Sequence, residues 1–267
     1  MTTHPVNGEM LTLDSPPQHR DEAVSELSHI SGWLAMLLWP IHRLFMWLYF
    51  RVDVVNPGRI PAKGPVLLAL THRSRWDPVV LCCATPRLLR FMASHDEFLG
   101  LQGWFMRHLG AFPINTRRPT PGALRHCRDL ILAGEALVIF PEGTIFYYPP
   151  HHVHPIKPGS AWLALKCQEQ MPDAPFLLIP IRIVYSNRYP RFRTRVQLLV
   201  QEPISLGSYF ELPRRVGLRQ LTADLQSRLG DVVNDSLTEM SPPRDDSFRN
   251  PPDPQARSRE EWKTSNN

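Results

Sequence analysis

An α/β fold, with a central mixed and partly parallel sheet flanked by helices, is what this sequence predicts. Two observations predict it. Short apolar runs such as Val66-Leu67-Leu68-Ala69-Leu70 and Ala136-Leu137-Val138-Ile139-Phe140 have the length and composition of buried strands. Between such runs lie segments with helical spacing, for example Leu124, Cys127, Ile131 and Leu132.

The elements follow in chain order. Residues 1–22 are polar, contain Ser15-Pro16-Pro17 and read as a disordered tail. Residues 23–50 read as amphipathic membrane-anchoring helices, an N-terminal interfacial hairpin. Its apolar part, Ile30 to Phe50, is rich in Trp, Leu, Met and Phe. Pro40, His42 and Arg43 interrupt that run near its centre, where a charge costs about 2.5–3.5 kcal/mol in a bilayer. Proline removes a backbone bond and bends a helix, so two short helices meeting near Pro40 are expected. Trp33, Trp39, Trp47 and Tyr49 favour the headgroup boundary. An anchor lying in the interface is therefore favoured over a spanning helix, and over a hairpin packed on a soluble core. A signal peptide fits poorly, since thirty residues precede the run and no small-residue cleavage site follows it.

A single domain is expected over 51–240. Val52 to Val55 reads as a strand closed by Asn56-Pro57-Gly58, and Pro65 to Thr71 as a buried strand. Pro78 to Ala84 reads as a helix with Asp77 as its N-cap. A strand over Leu88 to Ala93 and a helix over Leu99 to Leu109, stopped by Gly110, come next. Phe112 to Ile114 is short and extended, and Gly122 to Leu132 is helical. After the strand ending at Phe140 come a helix over Gly159 to Gln170 and strands over Phe176 to Tyr185 and Arg195 to Gln201. Leu221, Leu225, Leu229 and Val232 share one face of a long helix over Leu218 to Leu237. Residues 241–267, with Asn250-Pro251-Pro252-Asp253-Pro254, read as a disordered C-terminal tail.

Composition narrows the function. Net charge is +5 and pI about 9.2, a mildly basic balance that suits phosphate or anionic lipid partners. Nucleic acid is disfavoured: the chain has no zinc-finger spacing, RNP-like aromatic motif or basic repeat. Cys82, Cys83, Cys127 and Cys167 form no CxxC pair and read as reduced core thiols in a cytosolic setting.

The polar residues that stand out follow the two buried strands. His72 and Asp77 are five apart, and positions at that spacing diverge by about 140° on a helix. A His–Asp pair here therefore needs a turn, which a strand end followed by a helix start provides. The carboxylate would fix the tautomer of the imidazole and leave its other nitrogen as a general base. Phe140-Pro141-Glu142-Gly143-Thr144 is a tight turn with one acid, again at a strand end. Three histidines within four positions, His151, His152 and His154, lack a Cys or acidic partner in their loop. A loop over an apolar entrance is favoured there over a metal site.

Four ordered blocks carry a resemblance. They are His72-x4-Asp77 with Arg73-Ser74, Gly110-Ala111-Phe112-Pro113-Ile114 with Arg117 and Arg118, Phe140 to Thr144, and Leu178-Ile179-Pro180-Ile181. In this order they resemble the glycerolipid acyltransferases, and most closely the 1-acylglycerol-3-phosphate acyltransferase subgroup. The resemblance covers roughly residues 50 to 205, and Lys157-Pro158-Gly159-Ser160-Ala161 shares in it.

It implies a membrane-associated enzyme on the cytoplasmic face. Fatty acyl groups would pass from acyl-CoA or acyl carrier protein to a lysophospholipid hydroxyl, without metal or other cofactor. His72 would be the general base and Asp77 its orienting partner. No acyl-enzyme is needed, so Ser74 reads as structural, and Cys82 and Cys83 are discounted as nucleophiles. Substrate binding would fall to Arg117 or Arg118, whose register is open by one residue, and to Glu142, Gly143 and Thr144. The chain departs from the family pattern after Thr144, where Ile145-Phe146 stands in place of Arg-Ser. Lys157 is the candidate replacement cation. The rival readings are acylation of another lysolipid acceptor, a lipid-binding homologue without turnover, and a hydrolase using the His–Asp pair and water.

Overall fold

The computed structural model describes residues 4–6, 9–11, 32–114, 120–146, 153–172 and 176–230. The chain divides into two compact units, Met1–Val233 and Asn234–Asn267, and every described residue belongs to the first. Arg117, Arg118, the loop residues 147–152 and the expected C-terminal tail lie outside the described residues. Within the segment read as an N-terminal tail, strands β1 (His4–Val6) and β2 (Glu9–Leu11) pair antiparallel.

The main sheet has seven strands: β3 (Phe50–Val55), β4 (Val66–Leu70), β5 (Leu89–Ser94), β6 (Ala111–Ile114), β7 (Ala136–Ile139), β8 (Leu177–Tyr185) and β9 (Thr194–Val200). Their order is β3-β9-β8-β4-β7-β5-β6. All neighbours are parallel except β8 and β9. The sheet is thus mixed and mostly parallel, as the alternation of strands and helices predicts.

Period-two alternation sends the central residues into two cores. Val66, Leu68 and Leu70 join Ile179, Ile181 and Ile183 on one face, under helices α1 (Gly32–Tyr49) and α2 (Asp77–Leu81). Leu67, Ala69, Leu137 and Leu178 point to the other face. There they meet α4 (Pro121–Leu132), α5 (Gly159–Gln170) and α7 (Arg214–Gly230). Strand β4 is fully buried along its length because both faces are covered. Helix α3 (Gly100–His108) and the single turn α6 (Gly207–Phe210) complete the described fold.

Three elements differ from expectation. First, α1 runs unbroken through Pro40, where two helices were expected to meet. Residues 23–31, which a hairpin would also need, lie outside the described residues. Proline costs α1 one backbone bond, but packing and side-chain bonds past the proline hold the helix to the domain. Leu34, Leu38, His42 and Met46 form its inner stripe. His42 Nε2 bonds the carbonyl of Val79, and Arg43 donates to the carbonyl of Cys83. Phe45, Tyr49 and Phe50 surround Trp76. Second, α2 begins at Asp77 and Asp77 is not its N-cap; Trp76 occupies that position without a side-chain bond. Third, α7 starts at Arg214, four residues before the expected Leu218.

Candidate active site

The site is built at the carboxyl ends of β4, β7 and β8, where open α/β sheets place their ligands. The strand β4 ends into Thr71, whose Oγ1 accepts the backbone N–H of Ile183 at 3.0 Å. This tie to β8 fixes the exit direction of the chain, and His72 follows.

His72 donates from Nδ1 to Asp77 Oδ2 at 2.8 Å, and the Asp77 side chain is fully buried. The same oxygen accepts the backbone N–H groups of Arg73 and Ser74, at 2.6 and 2.9 Å. Asp77 turns back over the loop that precedes α2, which explains why it does not cap the helix. Its other oxygen, Oδ1, accepts the Tyr185 hydroxyl at 2.7 Å. Burial first, and then the charge of Asp77, push the Tyr185 pKa well up, so the phenol remains a donor throughout the neutral range. Four donors thus fix one carboxylate against the imidazole, where it orients the ring and can stabilise an imidazolium.

The second loop closes onto the first. Glu142 Oε2 accepts the backbone N–H of His72 at 2.7 Å, and both its oxygens accept from Arg73 Nη1 at 3.0 Å. Glu142 Oε1 also takes the backbone N–H of His154 at 3.0 Å. The Phe146 N–H returns to the His72 carbonyl at 2.9 Å. Glu142 is therefore spent on holding the loops together, and its charge is neutralised by Arg73 at 3.0 Å. The His72 ring lies on Phe140, with centroids 4.0 Å apart.

With Nδ1 committed, Nε2 is the His72 nitrogen left for chemistry, and His72 lines a cleft of ≈1310 Å³. The cleft walls are mostly apolar: Met36 and Trp39 of α1, Val79 of α2 and Cys82 just past its end, Phe91 of β5, Phe105 of α3, and Leu163 of α5. Burial pushes the Cys82 thiol up to about 12 and the Cys83 thiol up to about 11, so neither is a thiolate at neutral pH. Among the described residues, no group of three or more His, Cys, Asp or Glu is arranged to hold a metal ion.

Of the sequence-named substrate residues, Gly143, Thr144 and Lys157 line this cleft beside His72. Gly143 adopts φ +74°, and a Cβ there would come within 2.5 Å of Lys157 Nζ. The Lys157 ammonium therefore rests on the Gly143 backbone, held there in part by the bond from Lys157 N–H to the Pro141 carbonyl at 2.8 Å. Arg117 and Arg118 lie outside the described residues. Tyr185 went unnoticed in the sequence: it ends a strand rather than following one, and it stands 108 residues from Asp77.

Residues 51–184 match the sequence profile of the family described as Acyltransferase. A 1-acyl-sn-glycerol-3-phosphate acyltransferase of Streptococcus pneumoniae is 29% identical over 141 residues, 51% of this chain and 48% of that protein. One from Bacillus subtilis is 26% identical over 68% of this chain and 88% of its own length. The match thus spans about half of the first relative and most of the second. The crystal structure of the 1-acyl-sn-glycerophosphate acyltransferase from Thermotoga maritima aligns with a TM-score of 0.51 and 19% identity. That alignment covers 84% of this chain and 86% of the other, and at such identity it shows the shared fold alone.

Proposed function

The chain belongs to the acyltransferase family, and from that premise we propose that it moves a fatty acyl group from acyl-CoA or acyl carrier protein to a lysophospholipid hydroxyl. The leading acceptor is 1-acylglycerol 3-phosphate, the substrate in the names of its relatives, which would give phosphatidic acid. One observation carries the reading: an imidazole oriented by a buried, four-donor carboxylate opens into a long apolar cleft.

Nε2 of His72 takes the proton of the acceptor hydroxyl as its oxygen attacks the thioester carbonyl. The C–S bond of the tetrahedral intermediate then breaks, and the imidazolium returns the proton to the departing thiolate. Asp77 stabilises the transient imidazolium and keeps the ring in register. Products are the new ester and a free thiol, so neither a covalent enzyme intermediate nor an oxidant enters the balance.

Membrane association is part of the proposal. Helix α1 exposes Trp33, Met36, Leu37, Ile41, Leu44, Trp47 and Leu48 away from its inner stripe, and a contiguous exposed apolar surface of this kind marks an interaction site such as a membrane. At 18 residues it is about 27 Å long, and no described helix is long and apolar enough to cross a membrane. Lying in the interface suits it better. The test is labelled acyl-CoA with a panel of lysolipids, comparing the native chain with His72→Ala. Labelled diacyl product from the native chain alone is expected. Full turnover in the variant overturns the mechanism. Absence of turnover with every acceptor favours the lipid-binding reading, and free fatty acid without acceptor indicates a hydrolase.

A further inference from the structure

We propose that the phosphate of the acceptor is held at the amino end of α5 by Lys157 and Ser160. The inference rests on the acyl-transfer reading and adds the headgroup contact to it. Position 145 is Ile, so the loop after β7 offers no cation there.

Elimination along the cleft leaves one cation among the described residues. Arg75 is paired with Glu97. Arg87 is committed to the carbonyls of Pro61, Gly64 and Gly134. Arg73 neutralises Glu142 behind the cleft wall. Lys157, exposed and resting on Gly143, has no carboxylate partner among the described residues. An ammonium on a flexible stem is a suitable point charge for a phosphate.

The helix beside it supplies neutral donors. Helix α5 has 12 residues, starts at Gly159 and has no side-chain cap at Pro158. The N–H groups of its first turn therefore lack helical partners and carry the positive end of the dipole. Ser160 is the second observation. It is 1% exposed and lines the cleft, yet its Oγ has no hydrogen-bond partner. A buried hydroxyl without a partner is destabilising, and an oxyanion arriving at this helix end would satisfy it. Gly143, Lys157 and Ser160 share the cleft with His72, so the phosphate and the reacting hydroxyl of one acceptor would enter the same cleft.

The experiment uses the full chain and two probes. Calorimetric titration with sn-glycerol 3-phosphate reads the phosphate site without turnover. Steady-state kinetics with 1-acylglycerol 3-phosphate and with monoacylglycerol reads the headgroup. Lys157→Gln should weaken glycerol 3-phosphate binding and raise the acceptor KM by about ten- to a hundredfold, the effect of one charge-assisted hydrogen bond. The KM of the acyl donor and turnover of monoacylglycerol should move far less. Lys157→Arg should restore much of the binding, and Ser160→Ala should weaken it several-fold. Unchanged glycerol 3-phosphate affinity in Lys157→Gln overturns the phosphate site, whatever the turnover. Loss of binding in a chain that transfers no acyl group leaves the site standing and overturns the acyl-transfer reading instead.

Discussion

Asp77 has two oxygens and receives four hydrogen bonds, and their origins rank the residues around His72. Two come from the backbone of its own loop, one from the imidazole, and one from Tyr185 at the end of β8. Only the last is a side chain from a distant strand, and only it can be removed without disturbing the loop. In Tyr185→Phe the ring still fills its site, while Oδ1 loses its donor in a buried setting, a change of about 1–3 kcal/mol. With its carboxylate partner less firmly held, the His72 ring loses register, so kcat should fall about tenfold with both KM values nearly constant. Steady-state kinetics checks it; a loss of stability with unchanged kcat would assign Tyr185 a packing role only. Linkage gives a second readout. The folded Tyr185 pKa is raised, so its contribution to stability is full below about pH 10 and falls as pH climbs through the alkaline range. Tyr185→Phe should lack that component of alkaline denaturation.

At the scale of elements, the strands were legible because burial on both faces demands continuous apolar runs; β4 and β7 are such runs, and β8 is one but for Pro180 and the buried Arg182. The two loops of the site were legible for the same reason: polar residues directly after a buried strand must sit at a sheet edge. Bonds formed across the fold were not. Pro40 reads locally as a helix break, yet α1 continues because His42 and Arg43 reach carbonyls near the end of α2, and Trp76 takes Phe45, Tyr49 and Phe50 around it. Asp77 reads locally as an N-cap, but its oxygens are taken by upstream N–H groups and by Tyr185. The sequence leaves Glu142 open between organising nearby donors and meeting the acceptor hydroxyls, and its oxygens are engaged by His72, Arg73 and His154. Element packing also makes a prediction about α3, which walls the cleft with Phe105 and Met106. Gly103 is buried in α3, and a Cβ there would overlap the carbonyl of Phe98. That neighbour is backbone, so a short displacement cannot relieve the overlap. Gly103→Ala should lower stability by about 1–3 kcal/mol in urea unfolding despite the better helix propensity of alanine. Unchanged or raised stability would mean that α3 shifts freely on the turn beneath it.

For the whole molecule, the question is what presents the cleft to lipid. The apolar flank of α1 is one half of the proposed surface, and the turn between β8 and β9 supplies a charged half. Residues 186–195, the turn and the first two residues of β9, read Ser-Asn-Arg-Tyr-Pro-Arg-Phe-Arg-Thr-Arg, four arginines without an acid. Tyr189 and Phe192 are 62% and 61% exposed, and Arg191, Arg193 and Arg195 are exposed as well. The turn adjoins the end of α1: Phe192 meets Tyr49 edge-on at 5.9 Å, and the Arg193 N–H bonds the Tyr49 carbonyl at 2.6 Å. It also begins one residue after Tyr185, and so lies at the edge of the sheet that carries His72. Aromatic rings at headgroup depth beside arginines suit an anionic leaflet, where each cation gains about 1 kcal/mol. Arginine interleaved with aromatic residues also suits single-stranded nucleic acid, but continuity with an apolar helix face favours a bilayer. Replacing Arg191, Arg193 and Arg195 together by Gln should remove about 3 kcal/mol, roughly a hundredfold in partitioning onto phosphatidylglycerol-containing vesicles at low salt. Binding to neutral phosphatidylcholine vesicles, carried by α1, should persist, and the difference should shrink as salt shortens the Debye length to about 8 Å. Cosedimentation at two salt concentrations measures both. Equal loss on neutral and anionic vesicles would locate the effect in folding, and an unchanged anionic preference would leave α1 to carry the surface without the turn.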